Sequence, residues 1–434
     1  MDSAAPSPAP APVPAPGVGT DLADQTDRVI LESARAELGP LGVGDLVILD
    51  DATGALTSAA LVEVASGACR VLVHEASAQR ALALAEAHAE ARREGRLVIA
   101  GLDGAPEDIG GLFEGSAPQV ALARLPKALA ALDHRAHALA RAGVPALVAG
   151  GRVKHMTRTQ NDVLAGAFDE VHATRGIGKS RALVARAPRA EVQSASVHEG
   201  GADVLIRGEQ VRVPLRGIGG VFGGASADAG SMLLLDALDR AVLAGEAAGA
   251  ADAEDAGDAP RTQRTADAPG AAGGGAPAAV DLGCGNGLLT AYLRRAFPEA
   301  RVLATDDDLD AVASTRATIE ADADADAGAA ADEGAGEAAG AGVRVLWESS
   351  LAGQAADSAD LVLLNPPFHD GTAVDATLVH GLLDAVARVL RPGGALWFVH
   401  NSHLRYRSEV EHRVGPVRQR ARDRRFTVLQ ATRG

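Results

Sequence analysis

The chain has 434 residues, of which 47% are hydrophobic, and a formal charge of −16. Its length allows two domains with separate cores, and no apolar run reaches the 18 or more residues of a membrane span. Two cysteines, Cys69 and Cys284, exclude a disulfide framework and lack metal-site spacing, so a reducing cytoplasm without structural metal is expected.

MDSAAPSPAPAPVPAPGVGT, residues 1–20, lacks the basic-then-apolar layout of a signal peptide and reads as a disordered Pro/Ala tail. DLVILDDATG (45–54) is a buried-type strand and turn, RVLVHEAS (70–77) a second strand, 78–93 a single alanine-rich helix, and RLVIAG a third strand. QVALARLPKALAAL (119–132) gives strand, proline break and helix; PALVAGGRVKHM (145–156) gives another strand with a glycine turn. Strand and helix alternate, which predicts a parallel sheet. RGIGKS (175–180) approaches the phosphate-loop pattern, but Ala173 stands at the first glycine position and no strong strand precedes it, so it is a near miss. Lys179 and Arg181 there suit either a phosphate backbone or solvent.

After a boundary near 190 comes a two-strand pattern, ADVLIRGEQVRVPLRG, and then the same α/β logic again. AAVDLGCGNG (278–287), a helix about 288–296, RVLATDDD (301–308), a helix about 309–320 and RVLWESS (344–350) follow one another. DLVLLNPPF (360–368), a helix about 374–390, GGALWFVHNSH (393–403) and RFTVLQATR (425–433) complete the second half. Residues 246–268 hold six acids and two arginines, and residues 320–337 hold seven acids and no base. Most of the negative charge therefore sits in stretches at 245–277 and 321–342 that read as loose low-complexity insertions. Residues 401–434 carry nine arginines against three acids, which permits a polyanionic partner and equally suits a solvated arginine-rich helix and strand. Only three lysines accompany 38 arginines, a sign of coding bias that lowers the weight of arginine counts.

Two motifs carry chemistry. VDLGCGNG is a strand ending in Asp281 and a loop with Gly283, Gly285, Asn286 and Gly287, whose glycines admit positive φ and let a ligand lie on bare backbone. The spacing is GxGxG, and Leu288 stands where a dinucleotide fingerprint would place its third glycine. The next strand ends in Asp306, a carboxylate suited to both hydroxyls of a ribose. This arrangement resembles the S-adenosylmethionine site of class I methyltransferases. The second motif is LLNPPF. Pro366 and Pro367 stop the strand at Asn365 and leave a stiff turn presenting an amide, a free carbonyl and the Phe368 ring. Two acceptors, the Asn365 side-chain oxygen and the Pro366 carbonyl, can bind the hydrogens of a planar amine and aim its lone pair at an electrophile, while Phe368 stacks on the ring.

DLGCGNG, DDDLDAVASTRATIEA, LLNPPFHDG, LRPGGALWFVHNSHLRYR and the closing RFTVLQATR together resemble the RlmG/RsmC family of ribosomal RNA guanine-N2 methyltransferases, over nearly the whole chain. GVFGGASADAGSMLLLDAL resembles the Asp-x-Gly segment that precedes that family's catalytic core. The resemblance implies an α/β fold of two tandem class I methyltransferase-like (Rossmann-like) domains, the N-terminal one (21–190) degenerate and RNA-binding, the C-terminal one (191–434) catalytic. In the first, LDDATG stands in place of the glycine loop and LARLPKAL in place of Asn-Pro-Pro-Phe; LPKAL and GGRVKHM look more like the large-subunit branch. It further implies S-adenosylmethionine as cofactor, held by Asp281, Gly283, Gly285, Asn286, Gly287, Asp306, Ser349 and Asn365, with catalysis by Asn365, Pro366, Pro367 and Phe368. Ser349 is the nearest match to the family's adenine contact and is a departure from its pattern. Phe368, Asn401, His403, Lys154, Lys179, Arg181 and Arg405 are the expected substrate contacts. The expected partner is 23S ribosomal RNA, with no membrane or metal, acted on by a cytoplasmic monomer. A 16S rRNA target, adenine-N6 methylation and protein glutamine methylation stay open, because each presents a planar amine to the same turn.

Overall fold

The structure, a computed structural model, describes residues 23–64, 69–194, 197–247, 278–333, 342–366 and 376–434. The tail at 1–20 and nearly all of the 245–277 stretch lie outside these residues. The chain forms two compact units, one ending at Ser194, the other running from Ala195 and also taking in Ala76–Ala78 and Lys127–Arg135.

In the first half the elements are α1 (Gln25–Leu38), β1 (Asp45–Leu49), α2 (Ala55–Glu63), β2 (Val71–His74), α3 (Ala78–Ala87), α4 (Ala89–Arg93) and β3 (Leu97–Ile99). They continue as α5 (Ile109–Leu112), β4 (Pro118–Arg124), α6 (Leu129–Arg141), β5 (Ala146–Arg152), α7 (Arg158–Ala167), β6 (Phe168–Ala173) and β7 (Ser180–Pro188). The seven strands form one sheet in the order β3-β2-β1-β4-β5-β7-β6, all running one way except β7, which pairs antiparallel with both β5 and β6. The helix expected over 78–93 is broken at His88, which leaves helical backbone at φ −118° and ψ 34°. Its ring nitrogen bonds the Ser58 hydroxyl at 3.2 Å, a tie that an alanine-rich pattern does not register. RGIGKS falls in the turn between antiparallel β6 and β7, with Ile177 bridged to Ser180, so no helix follows the glycines.

The second half contains β8 (His198–Ile206), β9 (Glu209–Gly217), α8 (Ala229–Ala244), β10 (Ala278–Leu282), α9 (Leu288–Ala296), β11 (Arg301–Asp306), α10 (Leu309–Glu333) and β12 (Val343–Trp347). β13 (Ala359–Leu364), α11 (Ala376–Val389), β14 (Leu390–Asn401), α12 (Arg407–Arg413), β15 (Val417–Arg422) and β16 (Phe426–Thr432) complete it. Its large sheet runs β12-β11-β10-β13-β14-β16-β15, the order of the first sheet repeated, while β8 and β9 make a separate hairpin. β13 and β14 are nearly continuous apolar runs because both sheet faces are covered. Trp397 packs on one face with Tyr292, Leu238 and Val213; its neighbour Phe398 packs on the other with Leu383, Val386 and Tyr406. On the first face one buried carboxylate joins three elements: Asp239 of α8 accepts the Arg207 and Gly208 amides of the hairpin turn at 2.6 and 3.0 Å and the Tyr292 hydroxyl of α9 at 3.1 Å. Burial, with the Asp239 charge beside it, pushes the Tyr292 phenol above its usual range.

One expectation is corrected here. The helix expected to stop near 320 continues to Glu333, so part of the 321–342 stretch is not a loose insertion. Asp322 is fully buried in it and receives Arg294 at 2.6 Å and Arg295 at 2.8 Å. Those ion pairs, with alanine's high helix propensity, hold a segment that composition alone marks as loose. The arginine-rich tail forms a helix, α12, and an edge strand, β15, the latter paired only with β16 among the described strands, as one reading of residues 401–434 expects.

Candidate active site

Among the described residues, those singled out in the glycine loop and at Asn365 meet at the carboxyl edge of the second sheet. β10 and β13 are adjacent there, with Leu282 opposite Leu364, so the glycine loop and Asn365 leave neighbouring strands side by side. The chain reverses its direction of strand addition between these two strands, the crevice where open α/β sheets bind ligands.

Gly283, Gly285 and Gly287 all have positive φ, at 81°, 54° and 84°. They differ in what surrounds them. A Cβ added at Gly283 or Gly285 would meet nothing within 4 Å, whereas one at Gly287 would lie 3.0 Å from the Thr315 Cα of α10. Two glycines thus leave open backbone, and the third permits close helix packing. The loop is held from outside: Asp306 accepts the Gly285 amide at 3.0 Å, Thr315 donates to the Gly285 carbonyl at 3.0 Å, and Asn286 donates to the Gly224 and Ser226 carbonyls at 2.9 Å each.

Asp281 is fully buried below the loop. One oxygen accepts the Thr290 hydroxyl at 2.6 Å, and the other is buried with no hydrogen-bond partner among the described residues. Burial, with a smaller contribution from the Asp306 charge, pushes its carboxyl up to about 7. Burial likewise raises Asp306. The Cys284 thiol, also buried, is raised well above its ordinary value by burial first and by the Asp306 and Asp281 charges after it.

Asn365 is oriented by the start of α8. Its Nδ2 donates to Asp228 Oδ2 at 3.2 Å and to Ser231 Oγ at 2.9 Å. Asp228 is also the N-cap of that helix, its other oxygen accepting the Gly230 and Ser231 amides at 2.8 and 3.2 Å. Because a carboxylate can only accept, the nitrogen of Asn365 must face it. Gly230 completes the arrangement: a Cβ there would sit 3.3 Å from the Phe426 ring. The Asp-Ala-Gly-Ser signature before an apolar run marks a helix start, but nothing in it points to a partner far along the chain.

Ser349 follows β12 in a half-buried turn whose next residues, Ser350 and Leu351, have positive φ of 54° and 56°. Asn401 ends β14 and pairs with Phe426; His403 and Arg405 are exposed beyond it. Pro366 is buried, while Pro367 and Phe368 lie outside the described residues. Lys154, Lys179 and Arg181 are exposed on the first unit, Lys179 at the rim of a cavity of about 500 Å³ with Asp24, Gln25, Arg28 and Arg152.

The first sheet carries the corresponding positions with different residues. Leu49 of β1 lies opposite Ala123 of β4, so Asp50 and Arg124 occupy the places of Gly283 and Asn365. Arg124 is held at 2.8 Å by Asp24, the N-cap of α1, and at 2.8 Å by Asp27 one turn into that helix.

Residues 275–430 match the Methyltransferase small domain, and residues 23–189 match the RLMG N-terminal domain. Ribosomal RNA large subunit methyltransferase G of Pseudomonas aeruginosa (strain UCBPP-PA14) is 30% identical over 313 residues, covering 71% of this chain and 70% of that one. The chain belongs to the RlmG/RsmC family of ribosomal RNA methyltransferases. The Streptomyces coelicolor protein of the same name is 40% identical over 154 residues, 36% of this chain and 37% of that one. Ribosomal RNA small subunit methyltransferase C of Hahella chejuensis is 34% identical over 155 residues, covering 36% and 40%. A T. thermophilus 16S rRNA N2 methyltransferase (RsmC), solved in complex with AdoMet and guanosine, shares the fold at TM-score 0.65 and 21% identity, over 94% of this chain and 92% of that one. As a member of the RlmG/RsmC family the enzyme uses S-adenosylmethionine, and the site suits it. Open backbone at Gly283 and Gly285 leaves room for a flat ligand, the unpartnered Asp281 oxygen suits a cation, and Asp306 ends the next strand. Among the described residues no cluster could hold a metal, and no helix is long and apolar enough to cross a membrane.

Proposed function

We propose that this enzyme transfers a methyl group to the exocyclic N2 of a guanine in 23S ribosomal RNA. The observation that carries the chemistry is the Asn365 amide: both its N–H groups are committed to Asp228 and Ser231, so only its oxygen is left to face a substrate. An oxygen in that state accepts one hydrogen of a planar amine, and the Pro366 carbonyl accepts the other. The paired acceptors draw the nitrogen toward tetrahedral geometry and turn its lone pair to the reacting carbon. S-adenosylmethionine, when bound over the glycine loop, supplies the electrophilic methyl. No strong base is required, since the proton is acidic once nitrogen carries the methyl. A guanine inside a helix cannot reach this turn, so the base is flipped out of its stack and held on Phe368, Asn401 and His403, with Lys154, Lys179, Arg181 and Arg405 on phosphates.

The large-subunit target is supported by the RLMG N-terminal match over residues 23–189. A small-subunit target is the second reading, favoured by the relatives named for that subunit. Ribosomal RNA from a deletion strain, mapped by mass spectrometry, tests both. Loss of one N2-methylguanosine from 23S rRNA is expected. Loss from 16S rRNA would select the second reading, and no loss from either would refute the function.

A further inference from the structure

We propose that Asp228 and Ser231 are positioning residues for methyl transfer, fixing which end of the Asn365 amide meets the substrate. This rests on the function just proposed. An asparagine side chain has two nearly isosteric orientations, one presenting an acceptor and one presenting two donors. Only the first can bind the hydrogens of an amine. Nothing in Asn365 itself selects it. The selection comes from α8: Nδ2 donates one hydrogen to Asp228 Oδ2 at 3.2 Å and the other to Ser231 Oγ at 2.9 Å. Ser231 is buried and Asp228 half-buried, so exchange of these bonds for water is restricted.

The first unit provides an independent instance of the same device. There Asp24, the N-cap of α1, and Asp27 hold Arg124, the residue that leaves β4 beside the β1 loop. N-cap, third helical position and the residue at the carboxyl end of the fourth strand meet in both units. Where that residue is arginine, its charge is neutralised by two acids; where it is asparagine, one acid and one hydroxyl take its amide hydrogens. The grip is a property of the architecture, and in the second unit it is set to leave an acceptor outward.

Asp228 performs two tasks with two oxygens, and this makes a decisive substitution available. In Asp228→Asn the single remaining oxygen is claimed by the Gly230 and Ser231 amides, since asparagine caps helices as well as aspartate does. The new NH2 then faces the NH2 of Asn365, donor against donor. Asn365 turns over and presents its own donors to the amine. Asn365→Asp alone places two carboxylates against each other. The double variant Asn365→Asp with Asp228→Asn restores a donor–acceptor pair of reversed polarity and again leaves an oxygen outward.

The experiment uses the full-length enzyme, radiolabelled S-adenosylmethionine and rRNA from the deletion strain, with kcat, KM and cofactor affinity measured for wild type, both single variants and the double. Asp228→Asn is expected to lose roughly 10²-fold in kcat, the usual size for one misdirected transition-state hydrogen bond, and Asn365→Asp a similar factor because repulsion from Asp228 displaces its outward oxygen, each with KM and cofactor affinity within about threefold of wild type. The double variant is expected to recover at least about tenfold over either single, a rescue that a purely structural role for Asp228 would not produce. Thermal melts at pH 8 give a second readout: Asn365→Asp should melt below wild type and the double should regain the difference. A double variant no more active than the singles, or an Asp228→Asn enzyme within twofold of wild-type kcat, overturns the proposal. Wild-type protein that transfers no methyl to rRNA refutes the function itself, and with it this role, whatever the melts show.

Discussion

Replacing Asp281 with asparagine should change the pH dependence of stability more than stability at any one pH. Asp281 is fully buried and its carboxyl is pushed up to about 7, by burial first and by the Asp306 charge second. An unfolded aspartate titrates near 3.9. Between those two values the folded protein binds the proton and the unfolded chain does not, so stability falls as pH rises from about 4 to about 7. The gap of roughly three units corresponds to about 4 kcal/mol, all of it lost by pH 8. Asp281→Asn keeps an acceptor for Thr290 but places an NH2 where the unpartnered oxygen lay, at a cost of about 1–3 kcal/mol at pH 5. The variant should therefore be the less stable protein at pH 5 and should overtake wild type by pH 8. Urea unfolding of the unliganded enzyme across pH 4.5–8 measures this, and parallel curves for the two proteins would refute the reasoning. The same charge bears on the cofactor. A cationic ligand favours the ionised carboxylate, so wild-type affinity should fall up to tenfold per unit below pH 7, and that slope should be absent in the variant.

Three further outcomes are expected. Asn365→Ala should abolish methyl transfer while calorimetric affinity for S-adenosylmethionine stays within a few-fold; equal loss of both would remove the residue from the catalytic turn. Gly287→Ala combines a φ of 84° with a Cβ 3.0 Å from Thr315 Cα. It should cost more than about 2 kcal/mol in denaturant unfolding, since left-handed backbone alone costs about 1–2 kcal/mol; an unchanged midpoint would rule out the packing role. Arg422, Arg424 and Arg425 lie at the turn between β15 and β16, beside the Asn401–Phe426 pair at the site's edge of the sheet, and form no ion pair with a described residue. Changing all three to alanine should weaken rRNA binding and flatten its dependence on log salt, by close to one in slope for each phosphate no longer neutralised; identical slopes would show that these arginines do not touch the RNA backbone.

The parts of the site that were legible in the sequence are those written by local chemistry. A strand that runs into glycines must make a positive-φ turn, and one that runs into two prolines must stop, so the β10 loop and Asn365 could be located from a few residues each. Parallel order followed from alternation. What could not be read is long-range. Asn365 and Asp228 stand 137 positions apart, and the cap signature of α8 says only that a helix begins there. The extension of α10 depends on Arg294 and Arg295 reaching Asp322, contacts that composition does not encode and that reverse the reading of an acidic alanine-rich run. Gly287 was grouped with its neighbours by spacing, yet its reason is the approach of α10, visible only once the helices are packed.

The arginine in the first sheet is tied to its place by the acids of α1. Asp27 is fully buried against Arg124 and also accepts the Thr53 hydroxyl at 2.9 Å. Placing an amide at position 124 alone would strand that acid without its counter-ion, at about 3–5 kcal/mol. An amide at that edge of the first sheet therefore requires Asp27 to be neutralised as well.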